Sequence, residues 1–396
     1  MNSFVGMLTI SATATFAFAA GVSAQTALPS QLSIRVENTI AVVRHDETVS
    51  LPWADLQRRL AGGTAGKVRV IDAERREIPS QVVDDDGDGT LDALIFQGNF
   101  SEKETRHFVV EASAPTQKYE PKVALRHDVP RDDMAWESDR AAFRIYGEGL
   151  KKTPQAMSSN GIDVWEKKTR ALILEKWYTK TESYHVDTGE GADFYEVGAT
   201  LGNGGTAGWA RDTIWRGDNF KAFRVIANGP IRAIFELKYD PWDVNGNSIS
   251  EVKRIAIDAG ANLYKATSIF STPKGGSIPY VIGTKKRPGM VGVMSRNNAW
   301  AWVSGWGPVE PGNGGDGELG TAVLLPANSL KDWKELFGHY LAVSTATSGT
   351  PVVHYIGAGW TESGDFLTPQ SWWRYLDDMA QRIATPVRIT IETGRP

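Results

Sequence analysis

The sequence predicts an all-β protein: a small N-terminal β-sandwich followed by a large antiparallel sandwich of long strands, with few helices. Three observations carry this. Short runs rich in β-branched and aromatic residues alternate with turn residues through most of the chain. Only two stretches show the apolar period of a helix. No repeat of about 20–50 residues is visible, which disfavours a propeller or solenoid.

Residues 30–112 contain the first set of runs. Ser33–Val43 alternates around Ile34, Val36 and Ile40, and Lys67–Ile71, Gln81–Val83, Leu91–Phe96 and Arg106–Glu111 follow, separated by turn chemistry. Trp53–Leu60 alone has a helical pattern there. Five or more short strands in such a length suit a small sandwich. The segment Ala114–Pro121 is bounded by prolines and polar between them, which marks a boundary between a unit at 25–114 and one at 121–396. In the second unit Phe143–Tyr146, Leu172–Trp177, Phe223–Ala227, Arg232–Tyr239, Ser250–Ile257, Tyr264–Phe270, Thr321–Leu325, Leu341–Ser344 and Val352–Ile356 read as strands. One helix is expected near the end, with Thr368 as N-cap, Pro369 at the first helical position and an amphipathic run from Trp372 to Ile383. A closing strand, Val387–Ile391, follows it.

Met7–Ala20 is an apolar run followed by Val22-Ser23-Ala24, the pattern of a secretory signal with cleavage before Gln25. It lacks the usual Lys or Arg at its start, and it is too short and too interrupted by Ser and Thr to span a bilayer. The expected location is the periplasm or the outside of the cell, with no transmembrane segment. The 396 residues contain no cysteine, which excludes a disulfide-stapled domain and any thiolate nucleophile or metal site. A formal charge of −4 gives no basic excess for nucleic acid. Tryptophan is abundant, at 14 residues, and its flat apolar ring suits both sugar faces and large cores.

The stretch Tyr184–Trp209 (YHVDTGEGADFYEVGATLGNGGTAGW) concentrates one of the six histidines, two tyrosines, carboxylates and glycines between strand-like segments. Glycines let a backbone approach a ligand closely, and long irregular loops are commonly functional. The stretch is expected to form the floor of a site, against the plainer reading of a large surface turn.

Several long blocks carry a family resemblance: Asp132–Gly147 (DDMAWESDRAAFRIYG), Gly161–Arg170 (GIDVWEKKTR), Glu175–Tyr178 (EKWY), Gly191–Gly198 (GADFYEVG), Ala227–Leu237 (ANGPIRAIFEL) and Gly357–Phe366 (GAGWTESGDF). They resemble the family described as domain of unknown function 4861, from about residue 30 to residue 390. That resemblance implies a galactose-mutarotase-like β-supersandwich, occurrence in bacterial polysaccharide-degradation loci, and similarity to a dehydratase of ulvan-derived oligosaccharides. Such an enzyme removes water from a non-reducing-end uronic acid and leaves an unsaturated uronyl residue. The resemblance assigns no catalytic residue.

That chemistry is a β-elimination. It needs a group to offset the uronate charge, a base for the carbon-5 proton and an acid for the oxygen on carbon 4. His185 is the expected base and Tyr195 the expected acid. Tyr184 is the other proton-transfer candidate, expected to face away from His185 if the backbone is extended. Arg170, Lys176 and Arg211 are the candidate partners of the carboxylate. Asp193 and Glu196 are placed to orient them. Trp165, Trp177, Trp209 and Trp360 are candidates for sugar stacking or for the core. His339 and His354 form a second pair that could face the loop, while His45, His107 and His127 read as structural.

The segment VDDDGDGTLD places Asp84, Asp86, Asp88 and Asp92 at calcium-loop spacing with Gly89 at the sharp turn. Position 12 is Ile95, and no helices flank it, so it is not an EF-hand. A structural calcium and an Asp-rich turn bonding its own backbone both account for it. No cofactor is required for the catalysis. Rival functions stay open: a glycoside hydrolase using a carboxylate pair drawn from Asp193, Glu196 and Asp365, a polysaccharide lyase, or a non-catalytic glycan-binding protein. The expected partner in every case is an oligosaccharide.

Overall fold

The computed structural model describes residues 1–2, 28–154, 156–180, 183–296, 299–310 and 314–392. Most of the proposed signal segment lies outside them. The described chain is all-β with three α-helices, as its period-2 patterning predicts. No described helix is long and apolar enough to cross a membrane.

Two sheets make the N-terminal sandwich. Gln31–Glu37 pairs with Thr105–Glu111, which also pairs with Arg69–Ile71; opposite them lie Arg44–Pro52, Ala93–Phe100 and Ser80–Val83. Leu32, Ile34, Val36, Leu94, Phe96 and Val110 fill the space between, with helix α1 (Trp53–Arg59) contributing Trp53 and Leu56. The first strand stops at Glu37 rather than Val43. There the Asn38 amide donates to the carbonyls of Val42 and Ser101, each at 2.8 Å, and turns the chain. Arg44–Pro52 is a strand that its polar sequence conceals.

The last strand, Arg388–Glu392, does not close the larger unit. It pairs antiparallel with Gln31–Glu37 and becomes the edge of the N-terminal sheet. The chain therefore passes between the two units twice, once through Ala114–Pro121 and again before Arg388.

The larger unit is built on a nine-stranded sheet whose centre runs Arg232–Lys238, Asn247–Asp258, Leu263–Ser271, Pro351–Trp360, Glu318–Pro326, Trp300–Pro308. Strict alternation along Asn247–Asp258 sends Ile249, Ile255 and Ile257 inward and Arg254, Ala256 and Asp258 outward. One core joins that inner face to two five-stranded sheets. One of these is centred on Asn203–Ala210, Ser277–Lys285 and His339–Thr347. The other runs Gly191–Ala192, Asp163–Lys167, Ala142–Tyr146, Asp133–Ser138, Val123–Asp128.

Helix α2 (Leu174–Thr179) lies where a strand was expected. The buried Glu137 carboxylate accepts the Ile173 N–H at 2.8 Å and the Leu174 N–H at 2.9 Å, satisfying donors at the helix start. Helix α3 (Pro369–Ala384) starts as its sequence predicts. Thr368 and Ser371 cap each other reciprocally, and Trp372, Leu376 and Ala380 pack on the outer face of the nine-stranded sheet.

Candidate functional site

Strand Asp163–Lys167 organises the site. Trp165 faces outward from its sheet, toward α2, while Glu166 faces the inner core. The loop that follows α2 wraps around this strand, and its Gly191–Ala192 segment pairs with Glu166 and Lys167 as the sheet edge. Gly191 has φ +99°, and a Cβ there would lie 1.9 Å from the Glu166 carbonyl oxygen, so only glycine lets the edge close.

On the outer side a buried network surrounds Arg144. Its Nε and Nη2 donate to Asp163 Oδ2 at 2.9 and 2.6 Å, Nη2 also reaches Asp193 Oδ2 at 3.0 Å, and Nη1 donates to the Tyr184 hydroxyl at 3.1 Å. Asp133 sits 3.7 Å from Nη1, and neither of its oxygens has a hydrogen-bond partner among the described residues. One guanidinium thus faces three buried carboxyls. Burial pushes Asp133 up to about 7 against the pull of Arg144. It raises Asp163 as well, and Asp193 further, where the neighbouring Asp163 adds to it. Tyr184 stacks on Trp165, with ring centroids 5.3 Å apart.

His185 covers this network at the surface, with 42% of its side chain exposed. Its Nδ1 is 2.9 Å from the Asp193 carbonyl oxygen. A carbonyl only accepts, so Nδ1 carries the proton and the neutral ring keeps its lone pair on Nε2. Tyr184 and His185 do not face opposite ways: their rings are 4.5 Å apart, because residues 184–186 form a turn rather than a strand. The Tyr184 hydroxyl accepts from Arg144, which leaves its own proton to donate. Arg131, part-exposed and 2.8 Å from Asp128, lies over the Tyr184 ring at 5.6 Å.

Tyr195 is not part of this group. It lies past the sheet edge in the inner core, near Arg287, whose guanidinium carbon is 5.7 Å from its ring. Burial raises its pKa against the pull of Arg287. Glu166 on the same side accepts the Phe194 N–H at 3.0 Å and is pushed up to about 8 by burial.

None of the expected cations joins this group. Arg170 makes a two-pronged bond to Asp365 at 2.9 and 2.6 Å, and Arg140 shares that carboxylate. Lys176 pairs with Glu190 at 2.9 Å. Arg211, at φ +52°, is an exposed turn residue of the hairpin between Asn203–Ala210 and Thr213–Arg216. Asp193 and Asp365 are bound to different arginines and Glu196 points to solvent, so these three do not form a facing carboxylate pair.

None of the 14 tryptophans is exposed. Trp165 and Trp177 stack with Tyr184 in an internal cluster, Trp360 donates to the Asp316 carbonyl beside Phe194, and Trp209 packs partly buried against Leu201 and Val281. The second histidine pair is internal. His354 lies 2.8 Å from the Tyr280 hydroxyl and is held neutral by burial, which lowers it to about 3. His339 accepts the Leu201 N–H at 3.0 Å and is also lowered by burial. At the surface, His127 meets Asp132 at 2.9 Å.

In the Asp-rich loop, Asp84, Asp86 and Asp88 offer carboxylate oxygens within 4.8 Å of one another, a spacing that suits a cation. Asp92 is not in that group; its Oδ2 accepts the Asp85 N–H at 2.7 Å. Asp84 already accepts the N–H groups of Gly87 and Gly89 at 2.6 and 2.8 Å, so the turn also holds itself.

Arg144, Asp133 and Asp163 were invisible as site residues in the sequence, because each reads as an ordinary polar position in an alternating strand. The one available signal was the close succession of carboxylates and arginines in Asp132–Gly147.

Among solved structures, the chain is similar to a glycosyl hydrolase family 38 protein from Enterococcus faecalis, with 10% identity and a TM-score of 0.51 over 93% of this chain. It spans about half (49%) of that protein's length, and the likeness is one of fold. An α-mannosidase from the same organism aligns with a TM-score of 0.49. An uncharacterised protein P7 of Formosa agariphila is 31% identical over 382 residues, covering 91% of this chain and 93% of the relative. Residues 36–389 match the domain of unknown function DUF4861, and the chain belongs to that family.

Proposed function

We propose that the protein is a carbohydrate-active dehydratase that eliminates water from a non-reducing-end uronic acid of polysaccharide-derived oligosaccharides. The observation that carries this is the half-exposed His185, its Nε2 left free by the Asp193 carbonyl, lying over the ring of the buried Tyr184, whose hydroxyl accepts from Arg144 and keeps its own proton. His185 takes the carbon-5 proton and the electron pair forms the bond between carbons 4 and 5. The carbon 4–oxygen bond breaks and the oxygen leaves as water with the Tyr184 proton. Arg131, beside Tyr184 and still paired with Asp128, offsets part of the charge that builds on the uronate. Solvent returns the proton from His185 to Tyr184. The buried network holds both groups in place.

Base and acid on one side require a proton and a leaving oxygen on the same ring face. A uronate of gluco configuration meets this; its carbon-4 epimer does not. The family resemblance to proteins of polysaccharide degradation, including an ulvan oligosaccharide dehydratase, supports the same substrate class, and the glycosyl hydrolase fold likeness agrees with it. A structural calcium on Asp84, Asp86 and Asp88, and export by the N-terminal segment, belong to the same proposal.

The test is incubation with a β-1,4-glucuronan trisaccharide, followed by mass and ultraviolet absorbance. Loss of one water with chain length unchanged, together with a conjugated double bond, is expected. Chain cleavage with absorbance would make the protein a lyase, cleavage without it a hydrolase, and no reaction of any uronate would leave a binding protein.

A further inference from the structure

A cleft of about 570 Å³ lies between the N-terminal sandwich, the outer face of the nine-stranded sheet and α3, and no residue of the His185 group lines it. This is within the size range of small-molecule sites, which favour domain interfaces. Its floor follows from strand register. Lys265 stands between Ala256 on one neighbouring strand and Tyr355 on the other, so a methyl on one side leaves room beside the ammonium and a phenol borders the other. Arg254 and Asp258 flank Ala256 on the same face.

Ion pairing divides the lining into two groups. Arg232 binds Asp258 at 2.6 Å and Asp85 at 2.9 Å, Arg382 binds Glu47 at 2.6 Å, Arg140 binds Asp365 at 2.9 Å and Arg254 reaches Glu236 at 3.3 Å. Those charges are spent on holding the walls together. Among the described Lys, Arg, Asp and Glu residues of the lining, Lys265 and Asp378 have neither a salt bridge nor a side-chain hydrogen bond. Lys265 is open to the cleft, and Asp378 projects from α3 on the wall. Both sit where their own charge is disfavoured. Burial and Arg232 lower the Lys265 ammonium, and burial with Asp377 raises the Asp378 carboxyl.

We infer that this cleft is a second saccharide-binding site, taking a uronate residue with its carboxylate on Lys265 and its hydroxyls donating to Asp378. It rests on the reading above that the ligand is a uronic-acid glycan, and it adds a place where the chain is held away from the reacting end. A free cation and a free acceptor in one cleft fit a sugar carrying both a carboxylate and hydroxyls. A neutral sugar leaves Lys265 unanswered, and an anion without hydroxyl groups leaves Asp378 so.

Calorimetric titration with a β-1,4-glucuronan trisaccharide and with cellotriose, which differs only in having carboxyls reduced to alcohols, tests this. The titrations use the His185→Ala protein, so that nothing is consumed. Tighter binding of the acidic sugar by about tenfold or more is expected. In the Lys265→Met, His185→Ala protein that preference should shrink to what the Arg131 site retains while the melting temperature is kept. Asp378→Asn in the same background should weaken both sugars. An undiminished preference after Lys265→Met overturns the inference, as does absence of binding to either sugar. Elimination activity is read separately on His185-intact protein. Turnover with no Lys265 effect sinks only the cleft, and Lys265-dependent binding without turnover sinks only the dehydratase reading.

Discussion

Asp193 links His185 to Arg144 through two different groups: its carbonyl holds His185 Nδ1 at 2.9 Å, and its carboxylate meets Arg144 Nη2 at 3.0 Å. The proposed base at the surface is thereby fixed to a buried network through one residue of the sheet edge. Removing His185 takes away a half-exposed ring that the core does not use. His185→Ala should reduce elimination by about a hundredfold to ten-thousandfold and leave the melting curve unchanged. Tyr184→Phe should cost a similar factor while keeping the stack on Trp165. Near-normal turnover in either variant would move the chemistry elsewhere.

The Asp133 carboxyl gives the fold a pH dependence of definite sign. Below about pH 4 folded and unfolded chains both hold its proton, and nothing changes with pH. From there up to about 7 only the folded chain holds it, so the unfolded state binds fewer protons and stability falls as pH rises. Asp133→Asn removes this term. Denaturant titrations at pH 5 and pH 8 should therefore show the wild type losing a few kcal/mol relative to the variant. A constant difference between the two proteins would mean Asp133 is not protonated in the fold.

Glu137 and Lys167 are both fully buried and bonded at 2.7 Å, and Glu137 also caps the start of α2. Glu137→Gln leaves the Lys167 ammonium without its counter-charge and should destabilise the protein by about 3–5 kcal/mol. Adding Lys167→Met should recover much of that loss, because the uncompensated charge is gone. If the double variant is no better than the single one, the capping bonds rather than the charge set the cost.

For the Asp-rich loop, calcium should raise the melting temperature by binding only the folded form, and chelation should reverse the rise without affecting turnover. Asp86→Ala should abolish the calcium response. Asp84→Ala should also lower stability in chelator, since Asp84 holds the Gly87 and Gly89 N–H groups. No response to calcium in the wild type would leave only the turn.

The sequence by itself determined the elements whose signals are local. Period-2 alternation set strands such as Asn247–Asp258, and Thr368-Pro369 set the start of α3. It also marked the Tyr184–Trp209 loop, where glycine and proton-transfer groups occur together. Tertiary structure decided the rest. A carboxylate from another strand, Glu137, made a helix where β-rich residues predicted a strand, and the final strand joined the first sheet because its partner lies some 350 residues away. Site membership was decided the same way. Tyr184 and His185 share a side because a turn breaks their alternation, and the sheet edge sends Tyr195 to the opposite core. Arg144 entered the site through strand pairing, and Arg170 left it through Asp365. A charge's partner is set by proximity in space, and only the fold supplies that.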